Sequence, residues 1–384
     1  MKVAVVLPDS KNTGVWYYSS QLYKFLPMRK EFIYVQNTSV KLSSLYYLNK
    51  VLKTDAEIFH IQLEPRFFRK ILENLFLPFI VYIIKRVLKR RLIVTMHALI
   101  NYADMSKLLK DDRLVSRFST LLSGITFYTY LIVNKVILSL ADSIVFHNRV
   151  VLDEAIRLFK INPRKAKIIP HGSTIHMRTH YIDRVNGMDI LCFGFLRAIR
   201  DMSVIIEAFD RLRDDLPEAR LHFLLIVPLD RYNDIVNIKK FFKLLREVRS
   251  REKIHLLINP PEDMIREYLE KACIGILPHQ ERTLESSGVA WRFAGLGIPF
   301  IGRAIPKLVS EFGRLRNELL LSQFTPENIA STVKKLLTDR KYYEQVSNLL
   351  LDLACERSWK KVSEMHLELY RGLIHEGCND SNTL

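Results

Sequence analysis

The chain is poor in the features that would place it in several common classes. Its four cysteines, Cys192, Cys273, Cys355 and Cys378, are too few and too scattered for a disulfide framework, and none stands in the C-x-x-C spacing of a zinc site. A reducing, cytoplasmic environment is expected. There is no G-x-x-x-x-G-K-[ST] phosphate loop, no G-x-G-x-x-G fingerprint and no G-x-S-x-G elbow. Kinase-like nucleotide hydrolysis, ordinary nicotinamide binding and serine hydrolysis therefore lose support. No repeat with a period of about 20 to 50 residues and no low-complexity tract occurs. The opening MKVAVVLP is halted by Pro8 too early for a signal-peptide core and reads as a first strand.

Acidic residues are also scarce: 41 Asp and Glu face 58 Lys and Arg, a net charge of +17 over 384 residues. Such a balance raises the question of nucleic acid. The one dense basic cluster, however, adjoins an apolar run instead of forming a polar track, so no nucleic-acid partner is expected. Long uncharged runs are few. Residues 118–134 hold no charge for 17 positions, short of the ~20 needed to span a bilayer, and Gly124 dilutes them. In the segment 67–91, eleven uncharged residues (74–84) precede Lys85, Arg86, Lys89, Arg90 and Arg91. That arrangement suits either an interfacial helix on anionic lipid, through those five basic residues, or a buried helix with a solvated basic turn.

The 48% hydrophobic content is enough for a buried core and excludes a disordered chain. Short β-rich runs alternate with segments of helical period: residues 3–8, 56–61, 92–96, 143–147 and 167–170 in the first half, and 189–193, 221–227, 253–258, 273–278 and 299–302 in the second. Continuous apolar runs mark strands covered on both faces, so the class is α/β with parallel, doubly wound sheets. The segment 171–189 lacks apolar periodicity and marks a boundary between two such domains, which would face each other across a cleft. Ligands of these sheets sit beyond the carboxyl ends of the strands.

The residues following each strand are thus the candidates. After 189–193 come Gly194, Arg197 and Arg200, before a helix that Asp201 or Ser203 can cap; two guanidiniums beside a helix start suit a diphosphate. After 273–278, Glu281 and Glu285 are placed to hold sugar or ribose hydroxyls, and Ser286 or Ser287 can cap a helix at Gly288, where a ligand can approach the backbone closely. His97 follows residues 92–96, where it can bind substrate, shuttle a proton near neutral pH, or serve only structure. Gly14 lies in the loop after the first strand. His171, His176 and His180 lack Cys or carboxylate companions and do not form a zinc site.

Taken in order, LIVTMHALINY, ADSIVFHN, KIIPHGS, CFGFLRAIRDMSVIIEAFDRL, CIGILP, SSGVAWRFAGLGIPFIG and RSWKKVSEMHLELY resemble the motifs of GT-B glycosyltransferases of glycosyltransferase family 4. The resemblance covers most of the chain. It implies two Rossmann-like domains, an acceptor-side domain over 1–180 with possible membrane-contacting segments and a nucleotide-sugar domain over 181–355, with a helix over 356–384 crossing back to the first. It implies retaining, metal-independent hexosyl transfer from a UDP- or GDP-linked sugar, with no cofactor, to a lipid-linked, glycan or protein-linked acceptor at the cytoplasmic membrane face. By position it places Arg197 and Arg200 near the donor diphosphate and His97 near the donor sugar. Gly14, Gly194, Ser286, Ser287 and Gly288 fall around the donor, with Glu285 as catalytic carboxylate and Glu281 in reserve.

The chain also departs from the motif. The family's two glutamates fall on Leu284 and Arg292, and the Gly of its usual Lys-Gly pair on Asp201. An arginine cannot accept hydrogen bonds from a ribose. The donor site is therefore rearranged or impaired, and the competing reading is a non-catalytic GT-B protein that binds a partner or an anionic membrane surface.

Overall fold

The computed structural model describes residues 1–8, 14–35, 43–64, 71–102, 119–175, 187–196, 200, 202–227, 232–280 and 284–380. The chain divides into two compact units. The first comprises Met1–Gly172, Thr283–Ser286 and Trp359–Leu384, the second Ser173–Arg282 and Ser287–Ser358.

The main sheet of the first unit is built from β1 (Lys2–Pro8), β2 (Arg29–Val35), β3 (Ile58–Leu63), β4 (Arg91–Met96), β6 (Ser143–Phe146) and β7 (Ala166–Ile168). Its order is β2-β1-β3-β4-β6-β7, every pairing parallel. A short antiparallel pair, β5 (Ala98–Leu99) with β12 (Leu284–Glu285), stands beside it. In the second unit β8 (Asp189–Phe195), β9 (Arg220–Ile226), β10 (Ile254–Ile258), β11 (Ile274–Leu277), β13 (Phe300–Arg303) and β14 (Leu320–Leu321) form an all-parallel sheet of order β10-β9-β8-β11-β13-β14. Both orders reverse direction once, between β1 and β3 and between β8 and β11. That reversal creates the crevice at which doubly wound sheets take ligands.

The central strands are buried along their length, from Val3 to Val6 in β1 and from Ile190 to Cys192 in β8, because helices cover both faces of each sheet. Glycine permits the closest packing: a Cβ on Gly295 would lie 2.0 Å from the Thr174 carbonyl oxygen. The helix Trp359–Asp380 belongs to the first unit and packs on the helix Gly14–Phe25, with Tyr370 and Trp359 in the core.

Residues 119–134 of the uncharged segment lie on the helix Ser119–Leu140, which buries Tyr130, Val133, Ile137 and Leu138 in the first unit. Among the described residues no helix is long and apolar enough to cross a membrane. The segment 74–84 lies on the helix Ile71–Tyr82 and the π turn Ile83–Val87. That turn closes through Leu88 N–H to Ile83 O (2.9 Å) and Arg90 N–H to Ile84 O (3.0 Å), with Lys89 in the left-handed region at φ 52°, the geometry of a helix stop. Lys85 is turned to Asp142 (2.5 Å), and Arg91, the first residue of β4, lies 3.6 Å from the same carboxylate.

Candidate functional site

In the first unit, residues just beyond the carboxyl ends of the strands form a histidine-rich cluster. His97 follows β4 and His147 follows β6. His97 Nδ1 is 3.2 Å from His147 Nε2, His97 Nε2 is 2.8 Å from Gln62 Oε1 at the end of β3, and His147 Nδ1 is 3.1 Å from the Ile169 carbonyl. Two neutral rings carry two N–H bonds for these three contacts. The carbonyl takes one and the contact between the rings the other. The third donor must come from Gln62, by a half-turn of its amide that interchanges O and NH2.

Tyr18 sits over this cluster, with ring centroids 4.8 Å from His97, 4.9 Å from His147, 5.3 Å from His171 and 5.2 Å from Trp359. Burial, then the neighbouring His147 and His171, holds the His97 pKa well below the usual histidine range. His97 is therefore a neutral hydrogen-bonding ring at physiological pH, not the proton shuttle near neutrality that its position alone allowed. His171 Nδ1–H donates to Gly172 O, 2.7 Å away, and the ring serves the packing around Trp359. A second network lies deeper: His60 Nδ1 is 2.7 Å from both the Tyr23 and Tyr370 hydroxyls, and its Nε2 is 2.7 Å from Thr95 Oγ1.

The β5–β12 pair brings a second candidate to this place. Glu285 pairs in register with Ala98, the residue after His97, and Leu284 with Leu99. Two candidates from opposite halves of the sequence thus adjoin within the first unit. Gly14 begins the helix Gly14–Phe25, and a Cβ there would meet nothing within 4 Å.

In the second unit, Gly194 near the end of β8 has φ +139°, a conformation side chains rarely adopt, and a Cβ there would sit 3.0 Å from Arg200 Nη1. The glycine thus makes room for the Arg200 guanidinium, which donates to Phe195 O at 2.8 Å and is 8% exposed. Burial pushes the Cys192 thiol up to about 12. Ser203 does not stand at the N-cap of the following helix: Ser203–Leu212 begins after Met202, which gives no side-chain cap bond, and Ser203 is its first residue.

The helix Gly288–Gly295 is capped as expected, by Ser287, whose Oγ accepts from Ala290 N–H at 3.3 Å. The buried Ser287 hydroxyl is thereby engaged in the helix, leaving Ser286, half-buried at the last position before the chain changes unit, and Gly288 as the more accessible members of this group. Beneath the cap lies a charged group that motif reading missed. Glu311 accepts from Ser287 N–H (3.3 Å) and Trp291 Nε1–H (3.2 Å), Arg357 stacks over the Trp291 ring at 4.0 Å, and Lys307, one turn from Glu311, is 2% exposed. Arg292, at the position of the family's second glutamate, is taken up by structure. It pairs with Glu262 and lies over the Phe193 ring at 5.1 Å.

Arg197, Asp201, Glu281, His176 and His180 lie outside the described residues. His147 and Gln62 were missed, although each stands at or after the end of a strand. ADSIVFHN carries the same strand-then-histidine signal as LIVTMH.

No known family model and no curated protein sequence matches this chain. Solved structures do. The Anabaena protein HepE, solved with UDP-glucose, superposes with a TM-score of 0.69 over 97% of this chain and 100% of its own, at 12% identity. Sucrose-phosphate synthase from Thermosynechococcus elongatus gives 0.69 over 98% and 100%, at 14% identity. A glycosyltransferase from Rickettsia africae gives 0.66 over 97% and 98%, at 13% identity. With two six-stranded parallel sheets in the order of doubly wound domains and this likeness along nearly its whole length, the chain has the GT-B glycosyltransferase fold.

Proposed function

We propose that the protein is a glycosyltransferase that moves a hexose from a UDP- or GDP-linked donor to a lipid-linked, glycan or protein-linked acceptor at the cytoplasmic face of a membrane. The observation that carries the reading is the match of nearly the full chain to glycosyltransferase structures, one of them holding UDP-glucose. Polar groups at the carboxyl ends of the strands add to it: His97, Glu285 and Gln62 in the first unit, Arg200 and the capped helix start at Gly288 in the second.

The chemistry is consistent with those groups. Departure of the nucleoside diphosphate builds negative charge, which a guanidinium at Arg200, with Arg197 beside it in sequence, and the positive end of the Gly288–Gly295 helix would stabilise. Neutral His97 would hold a sugar hydroxyl by exchanging its Gln62 contact for it, without introducing a competing charge. Glu285, next to Ala98 in register, is the carboxylate we assign to the sugar. On this reading transfer needs no metal and retains the anomeric configuration.

The test is release of nucleoside diphosphate from UDP- and GDP-hexoses with a membrane lipid extract as acceptor, with and without EDTA. Turnover unaffected by EDTA, and reduced by about a hundredfold or more in Glu285→Gln, supports the reading. EDTA-sensitive turnover rejects metal independence. The non-catalytic alternative rests on Arg292, a donor-only group at the motif's second glutamate position that is paired with Glu262. It predicts no release under any of these conditions.

A further inference from the structure

The helix Ser119–Leu140 has its inner side in the first unit's core, yet its outer side is not polar. Ile125, Tyr128, Ile132 and Val136 recur at intervals of three and four, and the first three are 47%, 68% and 62% exposed. A helix facing only water carries polar residues on that stripe. The helix it packs against, Ile71–Tyr82, exposes Phe79 and Tyr82, and the following π turn exposes Val87 at 61%. Scattered apolar residues on a surface are ordinary, but seven large ones on two packed helices and the turn that follows one of them mark an interaction face.

The charges beside them are of one sign. Arg86, Lys89 and Arg90 follow the first helix and Lys135 lies on the second, whereas residues 119–140 contain no acid and 71–91 only Glu73. Because Lys85 and Arg91 are directed to Asp142, the outward charge comes from the other three of the five clustered cations, with Lys135. A second copy of the same face would set like charges against like in a two-fold contact, which is unfavourable. An anionic bilayer offers both complements at once: phosphates for the cations and the headgroup–acyl boundary for tyrosine, phenylalanine and isoleucine.

We propose that this two-helix face docks the protein flat on an anionic lipid bilayer, with Tyr128, Ile132, Phe79 and Tyr82 in the interface and Arg86, Lys89, Arg90 and Lys135 on lipid phosphates. The inference specifies the membrane contact of the reading above and is tested without donor or acceptor.

The experiment is flotation of the full chain with vesicles of phosphatidylcholine alone or with about 30% phosphatidylglycerol, a composition that gives a negative surface potential. The expected result is binding to the anionic vesicles only. Replacing Arg86, Lys89 and Arg90 together by Ser should weaken it by roughly a hundredfold, and Tyr128→Ser with Ile132→Ser should weaken it in a way that added salt does not mimic. Melting temperatures near that of the parent protein would show that the variants are folded. Equal binding to both vesicle types, or binding unchanged in both variants, overturns the proposal. So does a concentration-dependent dimer abolished by Tyr128→Ser with Ile132→Ser in a protein that never floats, which would make the face an interface between copies. A protein that floats as expected but binds no nucleotide sugar leaves this proposal standing and removes the functional one.

Discussion

Buried histidines set the acid limit of the molecule. His366 is pulled down to about 4 by burial, and His60 and His97 are also held well below the ordinary value. In the unfolded chain each regains a pKa near 6.5. Between about pH 6.5 and 4 the unfolded state thus binds more protons, and stability must fall as pH falls through that window. His366 alone accounts for about 3 kcal/mol over it. Urea denaturation at pH 7.5 and 5 should show this loss, and His366→Gln should flatten the dependence; an unchanged slope would place the titration elsewhere. Gly194 makes a second prediction. At φ +139°, with Arg200 3.0 Å from the site of a Cβ, Gly194→Ala should cost about 2 kcal/mol of unfolding free energy, read from denaturant unfolding, and displace the guanidinium.

Local rules made the strands readable. Ten of them fall where continuous apolar runs stand in the sequence, because parallel strands covered on both faces leave no polar alternation. β2 (Arg29–Val35) escaped because it lies at the sheet edge and opens with Arg-Lys-Glu. The serine cap at Ser287 was legible from residue type and position. That Ser203 stands as the first residue inside its helix was not, since a helix end shifts by one residue at little cost. Ser287→Ala should cost about 1 kcal/mol by thermal denaturation, with Ser287→Asp recovering most of it; no loss would mean that Glu311 alone orders this end. What no local rule could reveal is convergence: the register of Glu285 with Ala98, the Gln62–His97–His147 chain, and the meeting of His60 with Tyr23 and Tyr370. Each joins residues remote in sequence, so it exists only once the sheet order is known.

At the level of the whole chain, the motifs in sequence order, the two doubly wound sheets and the likeness to glycosyltransferase structures agree on the fold. Of the departures, Arg292 lies on the helix Gly288–Gly295, bound to Glu262, and Leu284 lies in β12 just before it. Whether the site works despite them is a question of donor binding, and thermal stability answers it directly. A ligand that binds only the folded state adds roughly 2.7 kcal/mol at a hundredfold its dissociation constant, a readily visible shift. Melting should be followed with UDP-, GDP- and dTDP-sugars and the free diphosphates, with Arg197→Ala and Arg200→Lys alongside. The account predicts a rise in melting temperature with a UDP or GDP family of ligands that is lost or sharply reduced in the arginine variants. No shift with any nucleotide, or a shift the variants leave intact, would contradict it.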